Sequence, residues 1–335
     1  MTIVQPRACA GALRLAAMTL LALAASLAAV ASAAPLPRAG LLSFFATPDA
    51  ASVDPTETSF RQGLREAGYV EGENIVIERR YADGHADRLA AMAAELVRLN
   101  VDAILAGGQP PREAARKATA TIPIVTLSGS DPVREGWAAS LARPGGNVTG
   151  LTFTFPEVNL KRLELLKEAM PAITRVGVLI DPVDVVDSSE VIAEAQAGAS
   201  RLGVKLQVLD VHGAAEHGAA FERARRGGVQ ALLTVAVFPH RASLAALGAR
   251  ERLPLVGETS LEAQTGFLLA YGADLDDLVR RSALQVAKIL RGARAGELPI
   301  ERPTKFRLTL NLKTARQLGI AIPQSLLLRA DEVIQ

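Results

Sequence analysis

The side chains able to form directed contacts with a small polar molecule are grouped along the chain. Ser128-Gly129-Ser130-Asp131-Pro132 sets two hydroxyls beside a glycine, where backbone can approach a ligand, and Asp-Pro then opens a turn or helix. The same segment suits a plain capping role for Ser130 or Asp131, and both readings stay open. Gly107-Gly108-Gln109-Pro110-Pro111 has a similar grammar, with glycine for unusual backbone angles and proline to start a helix. Ser43-Phe44-Phe45, Asp181-Pro182, Val237-Phe238, Glu258-Thr259-Ser260 and Tyr271-Gly272-Ala273-Asp274 complete the set. Hydroxyls and free N–H groups at helix starts complement a carboxylate or amide. The contacts expected from these segments are Ser43, Phe44, Gly108, Gln109, Ser128, Ser130, Asp131, Asp181, Phe238, Glu258, Tyr271 and Asp274.

Patterns for bond-making chemistry are absent. There is no Gly-x-Ser-x-Gly elbow, no Gly-x-x-x-x-Gly-Lys phosphate loop, no His-Glu-x-x-His pair and no Gly-x-Gly-x-x-Gly. His212 and His217 stand five apart, off the helical spacing for a shared metal, in a Gly/Ala-rich stretch that reads as exposed. His85 and His240 read as loop or helix-start residues. No catalytic residue, metal or cofactor is expected.

The elements that must carry these segments alternate. Short β-branched runs, Ala39 to Phe45, Asn74 to Arg79, Val101 to Leu105 and Ile122 to Leu127, are separated by helical-period stretches such as Phe60 to Ala67 and Leu89 to Leu99. The second half repeats the order. Arg175 to Ile180 answers the first strand, Leu202-Gly203-Val204 answers Ala67-Gly68-Tyr69, Val229 to Ala236 answers Val101 to Leu105, and Leu253 to Val256 answers Ile122 to Val125. An offset of roughly 130 residues is too long for a solenoid and long enough for two lobes, each with its own core. One large doubly wound sheet is the alternative, and the breaker run Ala142-Arg143-Pro144-Gly145-Gly146-Asn147 speaks against it. The candidate segments other than Tyr271 to Asp274 stand at the ends of these strand-like runs, where open parallel sheets bind ligands. Tyr271 and Asp274 are expected in a turn after the strand-like Gly266 to Ala270, on the cleft floor, where contact and a purely structural hinge role both stay open.

At the amino terminus, Arg7 and Arg14 precede an uncharged Ala/Leu-rich run from Leu15 to Val30 that closes on Ala31-Ser32-Ala33. This reads as a secretory signal cleaved after about Ala33, with the mature chain in the periplasm and not stably inserted in the membrane. Cys9 is the single cysteine and precedes the apolar run, so a mature chain would carry no thiol. Removing the two arginines leaves 35 basic against 35 acidic side chains. A balance this even offers no field for nucleic acid.

An ordered set of motifs then resembles a known family. Phe60 to Gly72, Asn74 to Glu78, Ser128 to Val133, Ser140 to Leu151, Lys161 to Lys167, Pro303 to Phe306, Asn311 to Ala315 and Leu326 to Ile334 resemble ABC-transporter substrate-binding proteins of the group with tryptophan- and tyrosine-binding receptors. The resemblance implies an α/β, type 1 periplasmic-binding-protein fold, with two Rossmann-like lobes on parallel sheets joined by a hinge. It implies a small-molecule ligand, by default an amino acid or aromatic derivative, and an ABC permease with its ATPase as partner. A monomer is expected. Family members more usually carry an acidic residue or Asn with Pro where this chain has Val237-Phe238-Pro239-His240. Residues 34–150 with about 273–305 would form the first lobe, and 151–272 with about 306–335 the second. Crossings between lobes are expected near Asn147 to Phe155, Tyr271 to Asp274 and Thr304 to Asn311. A ligand sensor for a membrane signalling partner would use the same closure, and an α/β enzyme remains the other class, since fold alone does not fix function.

The leader is tested by sequencing the amino terminus of exported protein. Ala34 is the expected first residue; an uncleaved chain in the membrane fraction contradicts the cleavage.

Overall fold

The computed structural model describes residues 35–44, 55–129, 131–153, 156–180, 188–235 and 240–335. The expected leader and the candidates Ser130, Asp181 and Phe238 lie outside the described residues. In the first half, β1 (Arg38–Ser43), α1 (Pro55–Glu66), β2 (Val76–Tyr81), α2 (Leu89–Arg98), β3 (Ala103–Gly107), α3 (Gln109–Ala118), β4 (Ile124–Ser128) and β5 (Val148–Thr152) follow one another. Their five strands form one parallel sheet in the order β2-β1-β3-β4-β5.

The second half contributes α4 (Pro156–Ala169), β6 (Arg175–Ile180), α5 (Ser188–Arg201), β7 (Lys205–Asp210), α6 (His217–Arg226), β8 (Ala231–Val235), α7 (Arg241–Glu251), β9 (Leu255–Gly257), α8 (Ser260–Thr265) and β10 (Leu269–Ala273). After α9 (Leu275–Leu290) come β11 (Phe306–Asn311), α10 (Leu312–Leu318), α11 (Gln324–Arg329) and β12 (Glu332–Ile334). Seven strands form the second sheet, β12-β11-β10-β9-β8-β6-β7, in which β10 and β11 make the one antiparallel pair. Each sheet has a core on both faces, because successive strand residues point opposite ways. Leu41 and Leu105 pack with Phe60 and Leu64, whereas Leu42 and Ile104 pack with Leu89 and Leu96. In the second sheet Val178 faces Leu163 and Leu166, while Leu179 faces Phe221 and Leu244.

The helix α9 follows a strand of the second sheet yet packs against α1 of the first. Ser59 Oγ donates to Asp276 at 2.8 Å and Arg280 pairs with Glu66 at 2.8 Å. Gly63 permits the approach, since a Cβ there would stand 2.3 Å from the Arg280 carbonyl. Val279, Ala283 and Val286 then complete the core around Phe60 and Leu64.

The paired helix stops share one geometry. Tyr69 N donates to Leu64 O and Val204 N to Ala199 O, both at 2.9 Å, around Gly68 and Gly203 in the left-handed region. Val101 and Val229 close α2 and α6 the same way, past Asn100 and Gly228. This is why β3 and β8 start at Ala103 and Ala231, two residues later than the apolar runs suggest. The first apolar residue of each run caps the preceding helix instead of joining the sheet.

Two further expectations are corrected. His217 is 1% exposed, not surface-borne, because it begins α6 with its ring edge-on to His240. Tyr271 and Gly272 lie inside β10, paired with Leu308 and Arg307, rather than in a turn after it.

At Gly150 the backbone has φ +145° and pairs with Thr126, whose carbonyl oxygen would stand 2.0 Å from an added Cβ. Gly150→Ala is expected to cost about 2 kcal/mol or more through strain and overpacking. Urea unfolding measures it.

Candidate ligand site

Because neighbouring strands of the first sheet are parallel, Ser43, Gly107, Ser128 and Thr152 all mark its carboxyl edge. In the second sheet Ile180, Val235, Gly257 and Ala273 mark the equivalent edge. Three short connections join the two edges. Residues 153–155 lead from β5 to α4, Asp274 leads from β10 to α9, and 302–305 lead from Glu301, bridged to Leu151, into β11. A chain extends at most about 3.6 Å per residue, so such connections hold the two carboxyl edges together.

The expected residues at the first edge differ in what they do. Ser128 is fully buried, and its Oγ accepts a hydrogen bond from Arg112 Nη1 at 3.0 Å. Asp131 Oδ1 accepts from Val133 N at 2.9 Å and Arg134 N at 3.2 Å, which is a turn cap. Gly108 has φ +88° and precedes α3. Gln109 begins that helix with a buried Oε1 that has no hydrogen-bond partner. Ser43 ends β1, and Phe44 beyond it is half-buried against the core under α2.

Arg112 organises this edge. Its side chain is 1% exposed, pairs with Glu135 at 2.7 Å and Glu113 at 3.2 Å, and lies 5.0 Å from the Trp137 ring centroid. Trp137 Nε1 donates to the same Glu135 oxygen at 2.9 Å. The loop after β4 is thereby tied to α3.

Arg162, from α4, does the same at the second edge. Nη1 donates to Asn159 Oδ1 at 2.6 Å and pairs with Glu258 Oε1 at 3.0 Å, and Nε donates to the Tyr271 carbonyl at 2.7 Å. Gly272 is required beside it, since a Cβ there would stand 2.1 Å from the Glu258 carbonyl oxygen and 3.2 Å from Arg162 Nη2. The Tyr271 ring stacks on Phe306 with centroids 6.1 Å apart. Asp274 caps α9, accepting from Asp277 N at 3.2 Å, and its other oxygen accepts from Arg307 at 2.9 Å.

Below Glu258, the carboxylate of Glu262 accepts from the N–H groups of Glu258 at 2.6 Å and Thr259 at 2.8 Å. Thr234 lies 3.5 Å from its other oxygen. Glu262 is fully buried, and burial, then the Glu258 charge, push its carboxyl up to about 7 against the pull of those N–H groups and Arg162.

The structure thus brings Glu258, Tyr271 and Asp274 to one edge and Ser43, Gly108, Gln109, Ser128 and Asp131 to the other. Arg112, Glu135, Trp137, Asn159, Arg162 and Glu262 were not foreseen. A signal existed for two of them: Arg112 stands in register with buried Ala115, and Arg162 with buried Val158 and Leu166, charges where the helical period calls for apolar residues. A surface cavity of about 350 Å³ between α1 and α9, lined by Glu66, Lys288 and Arg291, contains none of the expected residues. Among the described residues no cluster of His, Cys, Asp and Glu could hold a metal, and no helix is long and apolar enough to cross a membrane.

Two sheets with facing carboxyl edges and three connections define the type 1 periplasmic-binding-protein fold. The family described as ABC transporter substrate binding protein matches residues 47–334, and the chain belongs to that family. It is 25% identical over 282 residues to the tyrosine-binding protein of Clostridioides difficile strain R20291, spanning 80% of this chain and 78% of that one. Of solved structures, the ABC domain from Streptococcus pneumonia in complex with L-Trp is similar at 24% identity and TM-score 0.80, over 89% of this chain and 100% of that one. The ligand-free, open structure of a substrate binding protein with adhesive properties from Clostridium difficile is similar at 23% identity and TM-score 0.66, over 90% and 100% of the two chains. As a family member, this chain is a solute-binding protein and not an enzyme.

The buried Glu262 gives a signed pH dependence. Its carboxyl titrates near 4.5 when unfolded and about 7 when folded, so its contribution is present below about pH 4.5 and lost as pH rises to about 7. Glu262→Gln should therefore match the native protein near pH 4.5 and exceed it above pH 7, by up to about 3 kcal/mol. Urea titrations across that range check this.

Proposed function

We propose that the exported chain, freed of its leader near Ala33, captures an amino acid between two lobes and delivers it to an ABC permease with its ATPase. The observation that carries this reading is the pair of carboxyl edges in a chain of this family, joined by residues 153–155, 274 and 302–305. With β5 kept whole, the lobes divide at those connections, and rotation about them closes the cleft. Ser43, Phe44, Gly108, Gln109 and Asp131 would then contact the ligand from the first lobe, and Glu258, Tyr271 and Asp274 from the second. Ser128 supports the first group from beneath.

The ligand class follows the relatives. One carries the name tyrosine-binding and another was solved with L-Trp, so aromatic amino acids are the first candidates. The fit to the L-Trp complex exceeds the fit to the open structure, 0.80 against 0.66, at nearly equal identity. Rotation of the lobes about a hinge would produce a difference of this kind.

Thermal shifts of the mature protein against the amino acids test the class. A ligand at 100 times its Kd should stabilise by about 2.7 kcal/mol. Because Cys9 is the single cysteine, cysteines placed at exposed Val133 and His212 can be labelled alone in the mature chain. The distance between the labels should shorten with saturating ligand; a fixed distance rules out closure.

A further inference from the structure

Asn159 stands in the first turn of α4, a helix of 14 residues, and is 1% exposed. Its Oδ1 accepts the Arg162 guanidinium at 2.6 Å, which fixes the amide, because a flipped amide would set donor against donor. Its Nδ2 is buried and has no hydrogen-bond partner. Buried donors are nearly always paired, so one held in place without an acceptor awaits an acceptor from elsewhere.

The surroundings specify which acceptor. The first turn of a helix carries the positive end of its dipole, which favours negative charge. The Glu258 charge is matched by Arg162 at 3.0 Å and so does not stand alone beside the amide. Position agrees with chemistry. The helix α4 begins four residues after β5 ends, and Arg162 is bonded to the Tyr271 carbonyl in β10, so Asn159 lies at the connections between the two sheets.

We propose that Asn159 Nδ2 receives the carboxylate of the bound ligand, and that Arg162 is the positioning residue that aims it. This rests on the amino-acid reading above and adds which end of the ligand meets α4. Neither residue was among the contacts expected from the sequence.

Asn159→Asp keeps the size and the acceptor for Arg162 but replaces the donor with a second carboxylate oxygen. Calorimetric titration would compare L-tyrosine and L-tryptophan with tyramine and tryptamine, which lack the carboxylate. Affinity for the two amino acids should fall about 10- to 100-fold, with the amines little changed. Arg162→Lys keeps the charge without the planar fork, and should reduce the same acid-over-amine selectivity. A merely structural role would lower acid and amine binding together. Where the amines bind too weakly to titrate, melting of the unliganded Asn159→Asp protein is the control: unchanged or raised melting with lost tyrosine affinity supports the proposal, and lowered melting overturns it. Unchanged selectivity in a protein that does bind L-tyrosine or L-tryptophan overturns this inference alone. A native protein that binds neither amino acid overturns the ligand reading and this inference with it.

Discussion

The buried guanidinium of Arg162 is the interaction on which the second edge depends. It joins α4, the turn after β9 and the backbone of β10, segments 96 and 109 residues away along the chain. Removing one member of such a buried pair leaves the other charge unmatched, typically at about 3–5 kcal/mol. Two neighbouring residues make sense only through it. Gly272 must be glycine so that β10 can pass the Glu258 carbonyl and the guanidinium. Gly257 must be glycine because a Cβ would stand 2.8 Å from that of Glu262, whose carboxylate holds the same turn. The turn is thus braced from one side by a cation and from below by a carboxyl group.

Arg112 is the counterpart in the first half. Both arginines project from helices into the interior, both are under 6% exposed in the side chain, and both reach the carboxyl end of a strand. They differ in what they brace. Arg112 fixes a loop of its own half through Ser128, Glu135 and Trp137. Arg162 fixes a turn and also grips β10, from which the chain crosses back to α9. A shift of the Glu258 turn therefore acts on the connection through Asp274, and a shift at Ser128 acts on the one that begins at Phe153, whose N–H donates to the Ser128 carbonyl at 3.0 Å.

Much of the fold was legible in the sequence because its signals are local. Helix stops at Gly68 and Gly203, β-branched runs and the break at Pro144-Gly145-Gly146 each act through a few residues. The sequence puts the starts of β3 and β8 two residues early, since an apolar residue that caps a helix and one that enters a sheet look alike in sequence. The candidate segments were legible for the same topological reason: whatever follows a parallel strand lies at the carboxyl edge. What the segments do was not. Ser128 and Asp131 look alike in sequence, whereas in the structure the Ser128 hydroxyl accepts from Arg112 and the Asp131 carboxylate caps its own turn. The partner that decides Ser128 lies 16 residues away.

The same limit explains why the charged residues of the interior went unseen. A sequence shows that Arg162 stands on an apolar stripe, but its burial is tolerable only because Glu258, Asn159 and a carbonyl from β10 converge on it, and nothing local announces their convergence. Glu262 is subtler still. It reads as an ordinary capping residue after Thr259, and that is one of its roles. Its full burial makes the same carboxyl resist ionisation, so that near neutral pH the net charge beneath the candidate site depends on its protonation. An edge built this way holds its backbone donors fixed while leaving one charge adjustable.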